Sequence, residues 1–446
     1  MTFLARLRLT ETGLLLFPLG CLGAGLGAVA VARQARPESM LPLLLGMAAA
    51  WLALHVILVV VCPTADQVML PTAAMLFALG AIVIATTNPN SLARQAIWLG
   101  VGCATCTVVA SWGGLVELIR RYRFTVAVGA IALVLVTLVI GVDPNASGVR
   151  IWVGFGDYLF QPSELVKILM VGFLAAYLDD RRELLALADY RLWFLRLPPI
   201  PYVAPSLVML GASLVLFLVQ RDLGITFLFF GVYMAMLYAT SGRGVFLLSG
   251  LVALGLAAYL AYRAFPVAHL RFDVWLDPWS DPSGRGYQVI QGLVAFATGG
   301  VIGVGPGKGA PQLIPAANTD YPFAVIGEEL GLVGVSLVIG LFAILILRGF
   351  QSTFRAPDLF GTYLALGITS LIAIQALLNM GVVTGLLPTK GSTLPFVSYG
   401  GTSLMINLMA VGILLNVHSQ GGRARNEDPD RRGRNGRPSL PGPGRG

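Results

Sequence analysis

Charged side chains are scarce in this 446-residue chain: Asp, Glu, Lys and Arg together make up 12% of it, against 56% hydrophobic residues. So little polar surface cannot cover a soluble globule of this length, and a mean hydropathy of +0.79 marks a polytopic membrane protein instead. Histidine is nearly missing. His55, His269 and His418 are scattered and suggest no metal site. The four cysteines, Cys21, Cys62, Cys103 and Cys106, each lie in or beside an apolar run, so none can staple an outer loop. Cys103 and Cys106 have C-x-x-C spacing, but with no second pair and no neighbouring histidine they read as small buried residues. Acidic residues are outnumbered and the net charge is +8. In a membrane protein that excess holds loops on the cytoplasmic side and implies no nucleic-acid partner.

Long apolar runs are what the chain has in quantity. A helix needs about 17 to 25 mainly apolar residues to cross the hydrocarbon core. Twelve runs fit, near 13–32, 41–62, 68–87, 96–118, 125–142, 163–178, 203–220, 223–240, 244–264, 323–347, 359–380 and 400–418. The first follows Arg6 and Arg8 but is too long for a secretory signal and is followed at once by a second, so it is expected to be retained. Placing the N-terminus inside puts 19 of the 30 basic residues on the cytoplasmic side, which predicts an all-α protein with both termini inside. The expected organisation is a two-helix extension over 1–66, a core over 67–419 and a disordered basic cytoplasmic tail over 420–446. Three segments, 143–162, 265–322 and 381–399, are then extracytoplasmic, and chemistry is expected there.

The stretch FQPSELVK, residues 160–167, places Glu164 and Lys167 one helical turn apart inside an apolar run. Such a pair marks either a functional, wet cavity or a structural ion pair. The turn QRDLG, 220–224, sets Arg221 beside Asp222, which from the turn alone reads as a snorkelling charge pair. Residues 271–296 combine interfacial aromatics with Gln288 and Gln291 and read as a loop followed by an amphipathic segment. GGVIGVGPGKG, 299–309, fails the nucleotide-loop pattern because Gly309 follows Lys308, leaving a flexible backbone for close approach or plain loop flexibility. GLLPTKGSTLPFVSYGG, 385–401, presents Lys390, which with Arg221 and Lys167 could meet an anionic lipid headgroup. In IPAANTDYPFAVIGEELG, 314–331, Asp320 is either a reactive carboxylate or the cap of a helix beginning near Phe323.

These motifs, with W-x-x-x-G from Trp152 to Gly156 and LDPW through GYQ, resemble the SEDS family of FtsW, RodA and SpoVE, in order from about residue 67 to 418. The resemblance implies a ten-helix polymerase that joins lipid II units into glycan strands outside the bacterial cytoplasmic membrane. It also implies a class B penicillin-binding protein as partner, among other divisome or elongasome membrane proteins. Carried onto this chain, it makes Asp320 the catalytic acid, Trp152, Glu164 and Lys167 functionally important, and Lys390 a headgroup contact. GLLPTKG is closer to the FtsW branch than to the RodA branch. Two departures stand out. Ala316 occupies a position where the family often has Glu, and the two N-terminal helices are extra.

The enzyme reading also meets a chemical constraint. Outside the membrane there is no ATP, so a sugar donor must carry its own leaving group, and a lipid pyrophosphate does. Such a group needs charge stabilisation more than protonation, so one base on the acceptor can suffice. A divalent cation, magnesium or manganese, would suit the same demand, though no residue pattern specifies it. The competing expectations are a lipid II flippase or other transporter, drawing on Lys167, Glu328 and Glu329, and an inert division scaffold.

Overall fold

The computed structural model describes residues 8–34, 37–143, 150–156, 158–186, 190–192, 195–197, 200–220, 222–389 and 391–427. Its long helices are α1 (Leu9–Ala32), α2 (Leu41–Val61), α3 (Met69–Thr87), α4 (Asn90–Ser111), a short α5 (Gly113–Arg121) and α6 (Arg123–Ile140). After a hairpin, β1 (Val153–Phe155) and β2 (Tyr158–Phe160), come α7 (Pro162–Ala186), a second small hairpin, α8 (Ile200–Val219), α9 (Leu223–Ser241) and α10 (Gly244–Ala264). The chain closes with α11 (Pro266–Leu276), α12 (Tyr287–Gly299), α13 (Pro322–Arg355), α14 (Leu359–Val383) and α15 (Gly401–Glu427). Among the described residues, ten helices are long and apolar enough to cross a membrane. The other two runs of the expected twelve fall on α7, whose cytoplasmic-type end is charged, and on α8, which contributes a shorter apolar stretch.

Three expectations need adjustment. The run 96–118 breaks at Trp112, whose φ −100° and ψ 86° are not helical, and α5 restarts at Gly113 as an amphipathic surface helix ending in Arg120 and Arg121. The segment 265–322 is not simply a loop, since it folds into α11 and α12, of which only the second was legible as an amphipathic stretch. The expected tail begins late, because α15 runs on to Glu427. Arg423 Nη2 donates to Val61 O at 2.8 Å and Arg425 Nη2 to Phe354 O at 3.2 Å, so cations in the last turns tie the helix to carbonyl ends of its neighbours.

α1 packs on α3, and α2 on α4. As a result α3 is 94% buried over its apolar window, a central helix shielded from lipid. Arg8, fully buried, pairs with Glu11 and donates to Cys62 O at 2.8 Å and Asp66 O at 2.7 Å. His55 Nδ1 lies 2.6 Å from Glu11 Oε1, and Asp66 Oδ1 accepts the amides of Val68 and Met69 at the start of α3. The boundary expected at residue 66 therefore falls inside a buried ionic network that joins extension and core.

α13 carries a kink at Gly331, with φ 63°, a backbone conformation that L side chains rarely adopt. Freed backbone groups at membrane depth must be satisfied by protein. The glycine-rich segment does this: Leu332 N donates to Gly300 O at 3.0 Å, Val333 N to Val301 O at 3.1 Å, Val304 N to Glu328 O at 3.0 Å and Gly305 N to Glu329 O at 2.9 Å. Glu328 Oε1 accepts from Ala310 N at 3.0 Å, and Glu329 Oε2 from Thr86 Oγ1 at 3.4 Å. GGVIGVGPGKG is thus a plug for the kink, and these two glutamates hold it.

Candidate active site

At one end of the bundle, segments from four parts of the chain enclose a cavity of about 380 Å³. Its lining includes Trp152, Glu164, Lys167 and Asp320, four of the six residues singled out from the sequence. Arg221 and Lys390 lie outside the described residues, although their neighbours Asp222 and Gly391 also line it.

Each side chain is delivered by a recognisable local device. Trp152 bridges to Val142, whose amide donates to Trp152 O at 2.8 Å, and the hairpin beyond it turns at Gly156, with φ 58°. That hairpin feeds straight into Pro162, a residue preset for the first turn of α7. One turn in, Lys167 Nζ lies 2.7 Å from Glu164 Oε2, with side-chain exposures of 2% and 7%. Gln375 of α14 accepts a further hydrogen bond from Lys167 Nζ at 2.9 Å. The ion pair and the cavity coexist, so the two expectations for this pair were not exclusive.

Asp222 caps α9, accepting from Ile225 N at 3.0 Å. It also faces Arg271 of α11: burial pushes that guanidinium below its ordinary value, and the Asp222 carboxylate opposes the shift. Arg94 stands over the ring of Tyr399, 5.9 Å from its centroid, and Tyr399 lines the cavity.

Asp320 ends a tight turn. Ala316, at φ 52°, offers one carbonyl to the amides of Thr319, Asp320 and Tyr321 at 3.1, 3.0 and 3.2 Å. The turn is pinned on its far side by Tyr399 N, which donates to Asn318 O at 2.7 Å. α13 then starts at Pro322 with Tyr321 as its N-cap residue and no side-chain cap hydrogen bond. Asp320 precedes the cap position and its residue lines the cavity instead. Burial, and secondarily the Asp320 carboxylate, pushes the Tyr321 phenol up to about 12, which keeps it neutral beside the acid.

The opposite wall is the strip Gly391–Thr393 with Thr402 and Ser403. Thr393 Oγ1 and Ser403 Oγ are 3.0 Å apart, and Gln161 N donates to Thr402 Oγ1 at 3.1 Å, so the strip, α15 and the hairpin form one polar lattice. Sequence reading passed over Gln375, Asn379, Thr393, Ser403 and Arg94. The available signal was two amides four residues apart in an otherwise apolar α14.

No group of three or more His, Cys, Asp or Glu side chains able to hold a metal exists among the described residues. The carboxylates of Glu164, Asp222 and Asp320 share the cavity without forming a protein cage.

A bundle of apolar helices with a polar, charged cavity at one end defines a polytopic membrane protein. The chain belongs to the FtsW/RodA/SpoVE family: the family model described as "Cell cycle protein" matches residues 52–422. A probable peptidoglycan glycosyltransferase FtsW of Geobacter metallireducens is 40% identical over 337 residues, 74% of this chain and 85% of that protein. The peptidoglycan glycosyltransferase RodA of Mycobacterium leprae is 33% identical over 365 residues, 80% of this chain and 78% of that one. Among solved structures, a chain of a peptidoglycan synthase complex that coordinates polymerization and crosslinking superposes with a TM-score of 0.66 at 29% identity, covering 80% of this chain and 98% of that chain. The rod shape determining protein RodA of Thermus thermophilus gives 0.58 at 26% identity over 82% and 98%.

Proposed function

We propose that this chain is a peptidoglycan glycosyltransferase that polymerises lipid II on the outer face of the cytoplasmic membrane, with both of its own termini inside. The observation that carries the reading is that Asp320, instead of capping α13, lines the same cavity as the Glu164–Lys167 pair. In this reading Asp320 takes the proton from an acceptor sugar hydroxyl as that oxygen bonds to the anomeric carbon of the donor. The bond from that carbon to the lipid pyrophosphate breaks, and the leaving group departs as an anion. Lys167 supplies positive charge within the cavity, and Arg221 and Lys390, which lie outside the described residues, are proposed for the same task from the sequence. The flippase alternative is not favoured, since the named relatives are glycosyltransferases and the backbone carbonyls of Glu328 and Glu329 are taken up by Val304 N and Gly305 N of the glycine-rich plug. Purified protein incubated with lipid II is expected to yield glycan strands long enough to resolve by electrophoresis. Intact lipid II after incubation with folded protein would sink the reading.

The solved complex among the structural neighbours supports a second component, a membrane-anchored class B penicillin-binding protein that cross-links what this chain polymerises. Co-expression should give a complex that survives purification and polymerises several-fold faster than the chain alone. Full activity alone, with no complex recovered, counts against that partnership.

A further inference from the structure

The two chemically distinct parts of the cavity are joined by one face of one helix. On α14, Gln375 and Asn379 stand a turn apart, and both are buried, at 5% and 1% exposure. Gln375 Oε1 accepts from Lys167 Nζ at 2.9 Å, while its Nε2 donates to Thr393 O at 3.1 Å and to Thr393 Oγ1 at 3.2 Å. Asn379 Nδ2 donates to Asp320 O at 2.9 Å and to Ser392 O at 2.5 Å. Both amides therefore grip the strip Gly391–Thr393, and the backbone of Asp320 is held in the same grip. The strip lies close against the acid: a methyl group added at Gly391 would meet Asp320 Oδ2 at 2.9 Å.

This arrangement is not the one that stability alone would select. Asn379 Oδ1 and Ser392 Oγ are buried without a hydrogen-bond partner among the described residues, and a buried polar atom left unpaired costs free energy that an apolar residue would avoid. What the amides supply is a fixed height of Asp320 over the strip and a fixed relation of the strip to Lys167. A general base works only within hydrogen-bond reach of its proton, and a misplacement of about 1 Å costs roughly a hundredfold in rate.

The geometry points to Asn379 as a positioning residue for glycosyl transfer, acting through Asp320, with Gln375 anchoring the same strip to Lys167. The inference rests on the glycosyltransferase reading above. Asn379→Leu keeps the side-chain volume and removes the donor, and it changes none of the residues that line the cavity. With lipid II as substrate, kcat should fall about tenfold to a hundredfold, while KM stays within about threefold and the thermal midpoint within a few degrees of the parent. Leu377→Ala, on the exposed side of the same helix, should change none of these. Gly391→Ala sets a methyl group against Asp320 Oδ2 and so shifts the strip relative to the acid without touching Asn379, which keeps the inference testable if Asn379→Leu does not fold. It too should lower kcat selectively. A folded Asn379→Leu protein with parental kcat, a loss confined to KM, or parental kcat in Gly391→Ala would each overturn the inference. A parent protein that makes no polymer would instead overturn the glycosyltransferase reading itself.

Discussion

Asp320→Asn should insert, fold and keep its partner, yet polymerise lipid II about 10²- to 10⁴-fold more slowly than the parent, the range general-base assistance usually supplies. The substitution is nearly isosteric. The backbone contacts that hold the position, Asp320 N to Ala316 O and Asn379 Nδ2 to Asp320 O, do not involve the carboxylate and survive it. Asn is also as good a helix cap as Asp, so any capping contribution would change by only about a few tenths of a kcal/mol. Electrophoresis of glycan products, normalised to the folded fraction, makes the measurement. Parental rates would remove Asp320 from the chemistry and turn attention to Glu164 and Asp222, the other carboxylates of the cavity.

The Glu164–Lys167 pair should respond in two separable ways. Lys167→Met leaves the Glu164 carboxylate, whose side chain is 7% exposed, without its ion pair, and breaking a buried pair from one side costs about 3–5 kcal/mol. The thermal midpoint should drop by several degrees and polymerisation should become undetectable. Glu164→Gln with Lys167→Met removes both charges, and replacing a whole buried pair by neutral groups is often close to neutral for stability. The double variant is therefore expected to recover most of the midpoint and none of the activity. Recovery of both would make the pair a structural element only; recovery of neither would show that Gln375, left without the Lys167 donor, matters to the fold more than the pair does.

Much of the architecture was legible because the bilayer imposes a one-dimensional rule, a minimum length of apolar helix, that a sequence displays directly. Each of the twelve apolar runs falls mainly on helix, the run 96–118 being divided at Trp112, and Asp320, Glu164, Lys167 and Trp152 do meet at one cavity. What stayed hidden was the consequence of contacts between distant segments. Whether Asp320 caps α13 depends on where the turn at Ala316 closes, and Ala316 shows its positive φ only in three dimensions. The glycine-rich segment looked flexible because nothing in its composition reveals that its backbone is consumed by the kink at Gly331. That Asp222 also acts on Arg271 could not be read, because Arg271 comes from a helix that the sequence pattern did not announce. Gln375 and Asn379 were readable as anomalies in an apolar helix, but their targets, Thr393, Ser392 and Asp320, were not.

The burial of α3 bears on where this gene could be shortened. The family model begins its match at residue 52, which invites trimming the front of the chain. A start codon placed at residue 67 would uncover the face of α3 on which α1 packs, where Ile82 lies against Gly25 and Thr86 O accepts from Arg33 Nη2. It would also strip Asp66 from the amides of Val68 and Met69. The product would not be a minimal enzyme but one with a face shaped to receive a helix left against lipid, and with the Thr86 carbonyl without its arginine donor.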